Sequence, residues 1–228
     1  MTYGDFHVTI RVYFVEIRGD SAVPILDYLE LVGVAAFAVS GATVAIRKKM
    51  DLFGVIFLAI VTAIGGGVLR DVVMDVGVPV FFQHYEYIVV ILVTCVLVVL
   101  LKGRIKWRRI VFFFDAVGLA VFAIYAGVKA IELQYNFLSF LFVCLITGVG
   151  GGIMRDVIAR EIPMVLQKEI YATAALVGSV VLWLIYPLLG KDVSTYICIA
   201  LIILIRIMSM GLKLCLPFVK DVGEDVSE

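Results

Sequence analysis

The chain of 228 residues has only two histidines, His7 and His84, neither with a ligand-spaced partner, so a metal site has little to build on. Its four cysteines (Cys95, Cys144, Cys198, Cys215) stand singly in apolar stretches without Cys-x-x-Cys spacing, which reads as packing rather than a redox or metal set. No Ser-His-Asp set, His-Glu-x-x-His or phosphate-cradling loop is present, so neither an enzyme nor a cofactor is expected. Gly148-x-Gly150 brushes a dinucleotide fingerprint but lacks its spacing and any preceding strand. Net charge is absent too: 19 basic and 19 acidic residues cancel, and no field points to nucleic acid. The first 20 residues carry Asp5, Arg11, Glu16, Arg18 and Asp20 with no apolar core, which argues against a cleavable signal peptide.

What the chain has instead is apolar length. Hydrophobic residues make up 63% of it and the mean hydropathy is +1.12, against about 45–50% apolar in an ordinary soluble domain. The excess lies in runs long enough to cross a bilayer as helices. Seven spans are expected, at 25–46, 52–69, 84–101, 110–130, 137–154, 170–189 and 195–216, the third being the weakest. The fold class is therefore all-α integral membrane, with the lipid bilayer as its obligatory partner.

Two stretches nearly repeat each other. Thr62-Ala-Ile-Gly65-Gly66-Gly67-Val-Leu-Arg70-Asp71 and Thr147-Gly-Val-Gly150-Gly151-Gly152-Ile-Met-Arg155-Asp156 lie 85 residues apart without a gap. The same offset aligns Glu30, Gly33, Phe37 and Ala38 with Asp115, Gly118, Phe122 and Ala123. Spans one to three and four to six are thus two copies of one unit. A three-span unit starts and ends on opposite sides, so its second copy enters upside down and the repeats are inverted. The expected organisation is an N-terminal extension (1–24), repeat 1 (25–107), repeat 2 (108–190), a seventh helix (191–216) and a tail (217–228).

Charge sets the orientation. Arg47, Lys48 and Lys49 share a side with Lys102, Arg104, Lys106, Arg108 and Arg109, and with Arg160, Lys168, Lys213 and Lys220. The other side offers Lys129, Lys191, Arg11 and Arg18. The positive-inside rule puts the first group in the cytoplasm, the N-terminus outside and the C-terminus inside. With no intracellular targeting signal, a prokaryotic plasma membrane is the expected location.

Each glycine weakens a helix by about 1 kcal/mol relative to alanine. A triple glycine at membrane depth therefore has two readings. It breaks the helix, and the freed carbonyls face water and serve a passing cation; or Ala63-x-x-x-Gly67 and Gly148-x-x-x-Gly152 let helices pack closely. Arg70 and Asp71, adjacent in sequence, point about 100° apart on a helix. The expected pairing is crossed, Arg70 with Asp156 and Arg155 with Asp71, against the alternative that both pairs snorkel at the interface. Glu30 and Asp115 fall near the starts of spans one and four, either as helix-dipole partners or as acids at opposite pore mouths. Arg206 sits mid-span in the seventh helix, a functional candidate with no partner assigned. Tyr85, Tyr87, Trp107, Tyr171, Trp183 and Tyr186 read as interfacial belt anchors.

Seven spans, two inverted three-span units and a Gly-Gly-Gly…Arg-Asp signature in spans two and five resemble the trimeric intracellular cation (TRIC) channels, in their prokaryotic branch, over about residues 25–216. The resemblance implies a homotrimer with a pore in each protomer, passing monovalent cations, chiefly potassium (K+). It also implies that Gly65, Gly66, Gly67, Gly150, Gly151 and Gly152 kink helices two and five beside that pore, with Arg70, Asp71, Arg155 and Asp156 following them. A secondary transporter of a small solute remains the alternative, since it shares the inverted-repeat plan.

Overall fold

A computed structural model describes residues 25–101, 107–167 and 170–212. The N-terminal extension, the tail, Arg11, Arg18, Lys102, Arg104, Lys106, Lys168, Lys213, Lys220 and Cys215, with the side chains of Trp107 and Arg108, fall outside the described residues. Within them the chain is helical: α1 (Ile25–Arg47), α2 (Leu52–Val73), a 3-10 turn (Val80–Phe82), α3 (Glu86–Leu100), α4 (Trp107–Glu132), α5 (Phe137–Ile158), the short α6 (Met164–Gln167) and α7 (Ala172–Leu212). Among the described residues, five helices are long and apolar enough to cross a membrane. α3, at 15 residues, rises only about 22 Å and falls short of a hydrocarbon core of about 30 Å.

α7 is two spans, not one. Its 41 residues would run about 61 Å if straight, but Gly190 leaves helical geometry at φ 74° and ψ 179°. A Cβ placed on Gly178 would fall 2.2 Å from Ile202 Cγ1, so the segments on either side of Gly190 lie against one another as a hairpin. These are the sixth and seventh spans expected from the sequence.

The 85-residue offset reappears in three dimensions. Asp51 caps α2 by accepting from Gly54 N, and Asn136 caps α5 by accepting from Ser139 N. Lys49 and Gln134 both turn through positive φ, as do Asp75 and Arg160. Phe37 and Phe122, equivalent positions, stack on each other with centroids 5.4 Å apart. Each ring also presses on the other copy's glycine: a Cβ on Gly118 would fall 2.5 Å from the Phe37 ring, and one on Gly33 would fall 3.3 Å from the Phe122 ring.

α2 and α5 cross at the glycine triplets, and both helices continue through them without interruption. The helix break expected from the sequence does not occur. A Cβ on Gly66 would lie 2.1 Å from the Thr147 carbonyl oxygen, and one on Gly151 would lie 2.2 Å from that of Thr62. Backbone meets backbone, so the middle glycine of each triplet is a packing device and its lack of a side chain is the property in use. Residue number rises along one helix as it falls along the other, so the crossing is antiparallel. Thr62 and Thr147 turn their hydroxyls back onto Leu58 O and Val143 O, each at 2.6 Å, which satisfies both donors without help from across the crossing.

Candidate functional site

One turn beyond each triplet lies an arginine that is almost wholly buried, and each gathers its own carboxylates. Arg70 donates from Nε to Asp71 Oδ1 at 2.8 Å and from Nη1 to Glu30 Oε1 at 2.9 Å. Arg155 donates from Nε to Asp156 Oδ1 at 2.8 Å and from Nη1 to Asp115 Oδ1 at 2.6 Å; Nη1 also reaches the Ser40 hydroxyl on α1. The crossed pairs, Arg70 with Asp156 and Arg155 with Asp71, do not form. Helix geometry separates the Cβ directions of adjacent residues, but an arginine has four torsions and its Nε can fold back onto the next carboxylate. The snorkelling alternative fails as well, because all four side chains are buried.

Each aspartate has a second task. Asp71 Oδ2 accepts from Val80 N, and Asp156 Oδ2 accepts from Met164 N, both at 2.9 Å. Pro79 and Pro163 directly precede these amides. The Arg-Asp pair therefore ties three segments together: the preceding helix through Glu30 or Asp115, its own helix, and the chain returning after the proline.

Glu30 and Asp115 are not acids at exposed mouths. Both are buried as the arginines' counter-ions. Tyr87 donates to Glu30 Oε2 at 2.7 Å, and Tyr171 lies in the equivalent place beside Asp115 and Gly152. With Tyr87 8% exposed and Tyr171 2% exposed, neither is a belt anchor. Their spacing is 84 rather than 85, as for Pro79 and Pro163. That one-residue slip after the Arg-Asp pair was the signal in the sequence that could have joined them to the motif.

The clusters balance their charge. Lys129 approaches Asp71 Oδ1 at 3.8 Å, giving two cations and two anions in the first. In the second, Arg206 Nη2 stands 3.9 Å from Asp115 Oδ2, which assigns the partner the sequence left open. Balance is what burial demands, since an uncompensated ion away from water costs several kcal/mol. Tyr125 lies under the Arg70 guanidinium, with the ring centroid 4.9 Å away. Beside the first cluster is a small cavity, with room for about one water molecule, whose lining includes Glu30, Gly67, Arg70, Asp71, Tyr87 and Phe122. Gly67, the third glycine, thus faces open space while Gly66 faces backbone. Among the described residues no group of His, Cys, Asp and Glu has the arrangement to hold a metal ion.

At the other end of the helices, Glu161 accepts from Arg47 Nη2 at 2.5 Å and pairs with Lys48 at 2.9 Å, joining the loops after α5 and α1. Burial alone would raise the Glu161 pKa, but Lys48 and Arg47 outweigh it and hold the carboxyl below its usual value.

Apolar helices of bilayer length, enclosing balanced ion clusters and a cavity at the crossing of two helices, define a polytopic membrane protein with a polar interior. The sequence model of a family described as "Glycine transporter" matches the chain twice, over residues 27–103 and 112–187. A UPF0126 membrane protein of Vibrio cholerae is 47% identical over 161 residues, 68% of this chain and 66% of its own length. The UPF0126 inner membrane protein YadS of Escherichia coli is 42% identical over 197 residues, 83% of this chain and 94% of its own. A crystal structure of a prokaryotic TRIC channel in 0.5 M KCl superposes with a TM-score of 0.80 at 33% identity, covering 84% of this chain and 98% of that one. The chain belongs to the UPF0126 family of membrane proteins, and its structure and sequence are similar to those of prokaryotic TRIC channels.

Proposed function

We propose that the protein is a membrane channel for monovalent cations, chiefly potassium, with a separate path in each protomer of a homotrimer. The observation that carries this reading is the likeness to a solved prokaryotic TRIC channel over nearly the whole of that chain. The path lies beside the third glycine and the Glu30–Tyr87–Arg70 cluster, where the cavity is, rather than along carbonyls freed by a broken helix. The glycine triplets serve it by bringing α2 and α5 close enough for the clusters to form on either flank. Because each arginine carries its own carboxylates, the cluster bears no net positive charge to repel a cation.

The repeats are inverted in this proposal. Support comes from the antiparallel crossing of α2 and α5 and from the contacts at their ends: the Tyr135 hydroxyl before α5 reaches Met74 O after α2, while Arg47 before α2 reaches Glu161 after α5. Arg47, Lys48 and Glu161 then mark the cytoplasmic side, with the N-terminus outside.

A second reading is carried by the family model's own description: a transporter of a small solute, with glycine as the candidate. Purified protein in planar bilayers and in proteoliposomes separates the two. Unitary potassium currents without saturable glycine uptake are expected. Saturable glycine uptake without unitary events would replace the channel reading.

A further inference from the structure

The two ion clusters are built from equivalent residues, yet they differ in room. Around the first, a Cβ on Gly67 meets nothing nearer than Arg70 Nη2 at 3.9 Å, and the cavity opens beside it. Around the second, a Cβ on Gly152 falls 3.1 Å from Tyr171 Oη and 3.4 Å from Asp115 Oδ1. The second cation of the first cluster is the part-exposed Lys129; that of the second is Arg206, fully buried and carried by the part of α7 beyond Gly190, outside the duplicated unit. Its guanidinium carbon lies 4.3 Å from the ring centroids of both Phe112 and Tyr171, and Nη2 faces Asp115 at 3.9 Å.

We infer that Arg206 is a tethered cation that closes the second half of the conduit, its guanidinium seated between Phe112, Tyr171 and Asp115, whose Tyr171 and Asp115 oxygens stand where the first half leaves room beside its glycine. This rests on the channel reading. A flat, delocalised, weakly hydrated cation suits an aromatic sandwich closed by a carboxylate. Asp115 Oδ2 is buried and accepts no hydrogen bond among the described residues, so charge holds that side of the seat. Asp115 is also shared: Arg155 holds its other oxygen at 2.6 Å, and the contact to Arg206 is the longer of the two. When α7 shifts, the Arg206 contact is therefore the one that yields, while Asp115 keeps a counter-ion. A potassium ion passing this half must displace the guanidinium, so the seventh helix sets how often the path is open.

Arg206→Ala leaves a guanidinium-sized hole. In planar bilayers with potassium chloride, open probability is expected to rise severalfold, and millimolar guanidinium chloride should reverse the rise while leaving the wild type unchanged. Arg206→Ala with Asp115→Asn should keep the rise and lose the guanidinium block. Thermal unfolding in detergent reads the seat without conduction: guanidinium, against matched potassium chloride, should stabilise Arg206→Ala and not the wild type. If Arg206→Ala does not fold, Arg206→Gln, of similar length and uncharged, should show the same rise. Wild-type gating in both single variants, or a rise in Arg206→Ala that guanidinium neither reverses nor accompanies with stabilisation, overturns the inference. A wild type that conducts nothing, with guanidinium still stabilising Arg206→Ala, would sink the channel reading and keep the cation seat.

Discussion

Neighbouring glycines in one triplet should respond to the same substitution with opposite signs. At Gly66 an alanine Cβ would fall 2.1 Å from Thr147 O and 3.2 Å from its carbonyl carbon. Both atoms are backbone and cannot rotate away, so α2 and α5 would have to part by about 1 Å. Overpacking of this kind costs about 1–3 kcal/mol, and the gain in helix propensity returns at most about 1 kcal/mol. Separating the helices also loosens the arginine clusters one turn on, so the net loss should sit near the top of that range. At Gly67 the nearest atom is 3.9 Å away; nothing must move, and alanine there should be neutral or stabilise by up to about 1 kcal/mol. Gly65 falls between, because what its Cβ meets at 2.6 Å is the Met154 sulfur, on a flexible side chain. Gly151→Ala should behave like Gly66→Ala, facing Thr62 O at 2.2 Å. Denaturant unfolding of the four variants in one detergent gives the ranking. Equal stability of Gly66→Ala and Gly67→Ala would refute the claim that the middle glycines exist for backbone contact.

Further outcomes follow from the clusters and the loops. Glu30→Gln removes one of the two carboxylates on Arg70 and should destabilise by about 3–5 kcal/mol, the usual cost of breaking a buried pair. Tyr87→Phe leaves Glu30 Oε2 without its donor and should cost less, about 1–3 kcal/mol, in the same unfolding assay. Because the Glu161 pKa is lowered in the folded protein, its contribution is complete above the ordinary carboxylate value and disappears as pH falls through the lowered one. Glu161→Gln should therefore flatten the acid limb of the stability–pH curve slightly, the pair being part-exposed; an unchanged limb would remove Glu161 from that role.

Much of the fold was legible in the sequence because duplication is visible in the chain itself. Residues 85 apart share a place, even where the residue type has changed: Thr62 and Thr147, Asp51 and Asn136, Lys49 and Gln134 recur in back-bonds, caps and turns. The site was less legible. The glycines announced a weak helix, but whether weakness becomes a break or a close crossing depends on what lies opposite, and Thr147 O is 81 residues from Gly66. The ion pairs were misassigned for a related reason. Periodicity gives the direction of Cβ, whereas the reach of an arginine decides its partner, and Glu30 lies 40 residues before Arg70. Tyr87 and Tyr171 looked interfacial because they sit at span ends. The slip from 85 to 84 after the Arg-Asp pairs hid their equivalence. Arg206 stood out by depth, yet its partner lies on α4, which only the fold brings near.

In the proposed channel, cations pass beside Gly67. In a background with the four native cysteines replaced, a Gly67→Cys channel should lose most of its potassium current on exposure to a cationic thiol reagent, while the fully buried Cys144, restored alone, should not react. Full current through a Gly67→Cys protein shown to be quantitatively labelled would place the path elsewhere in the protomer.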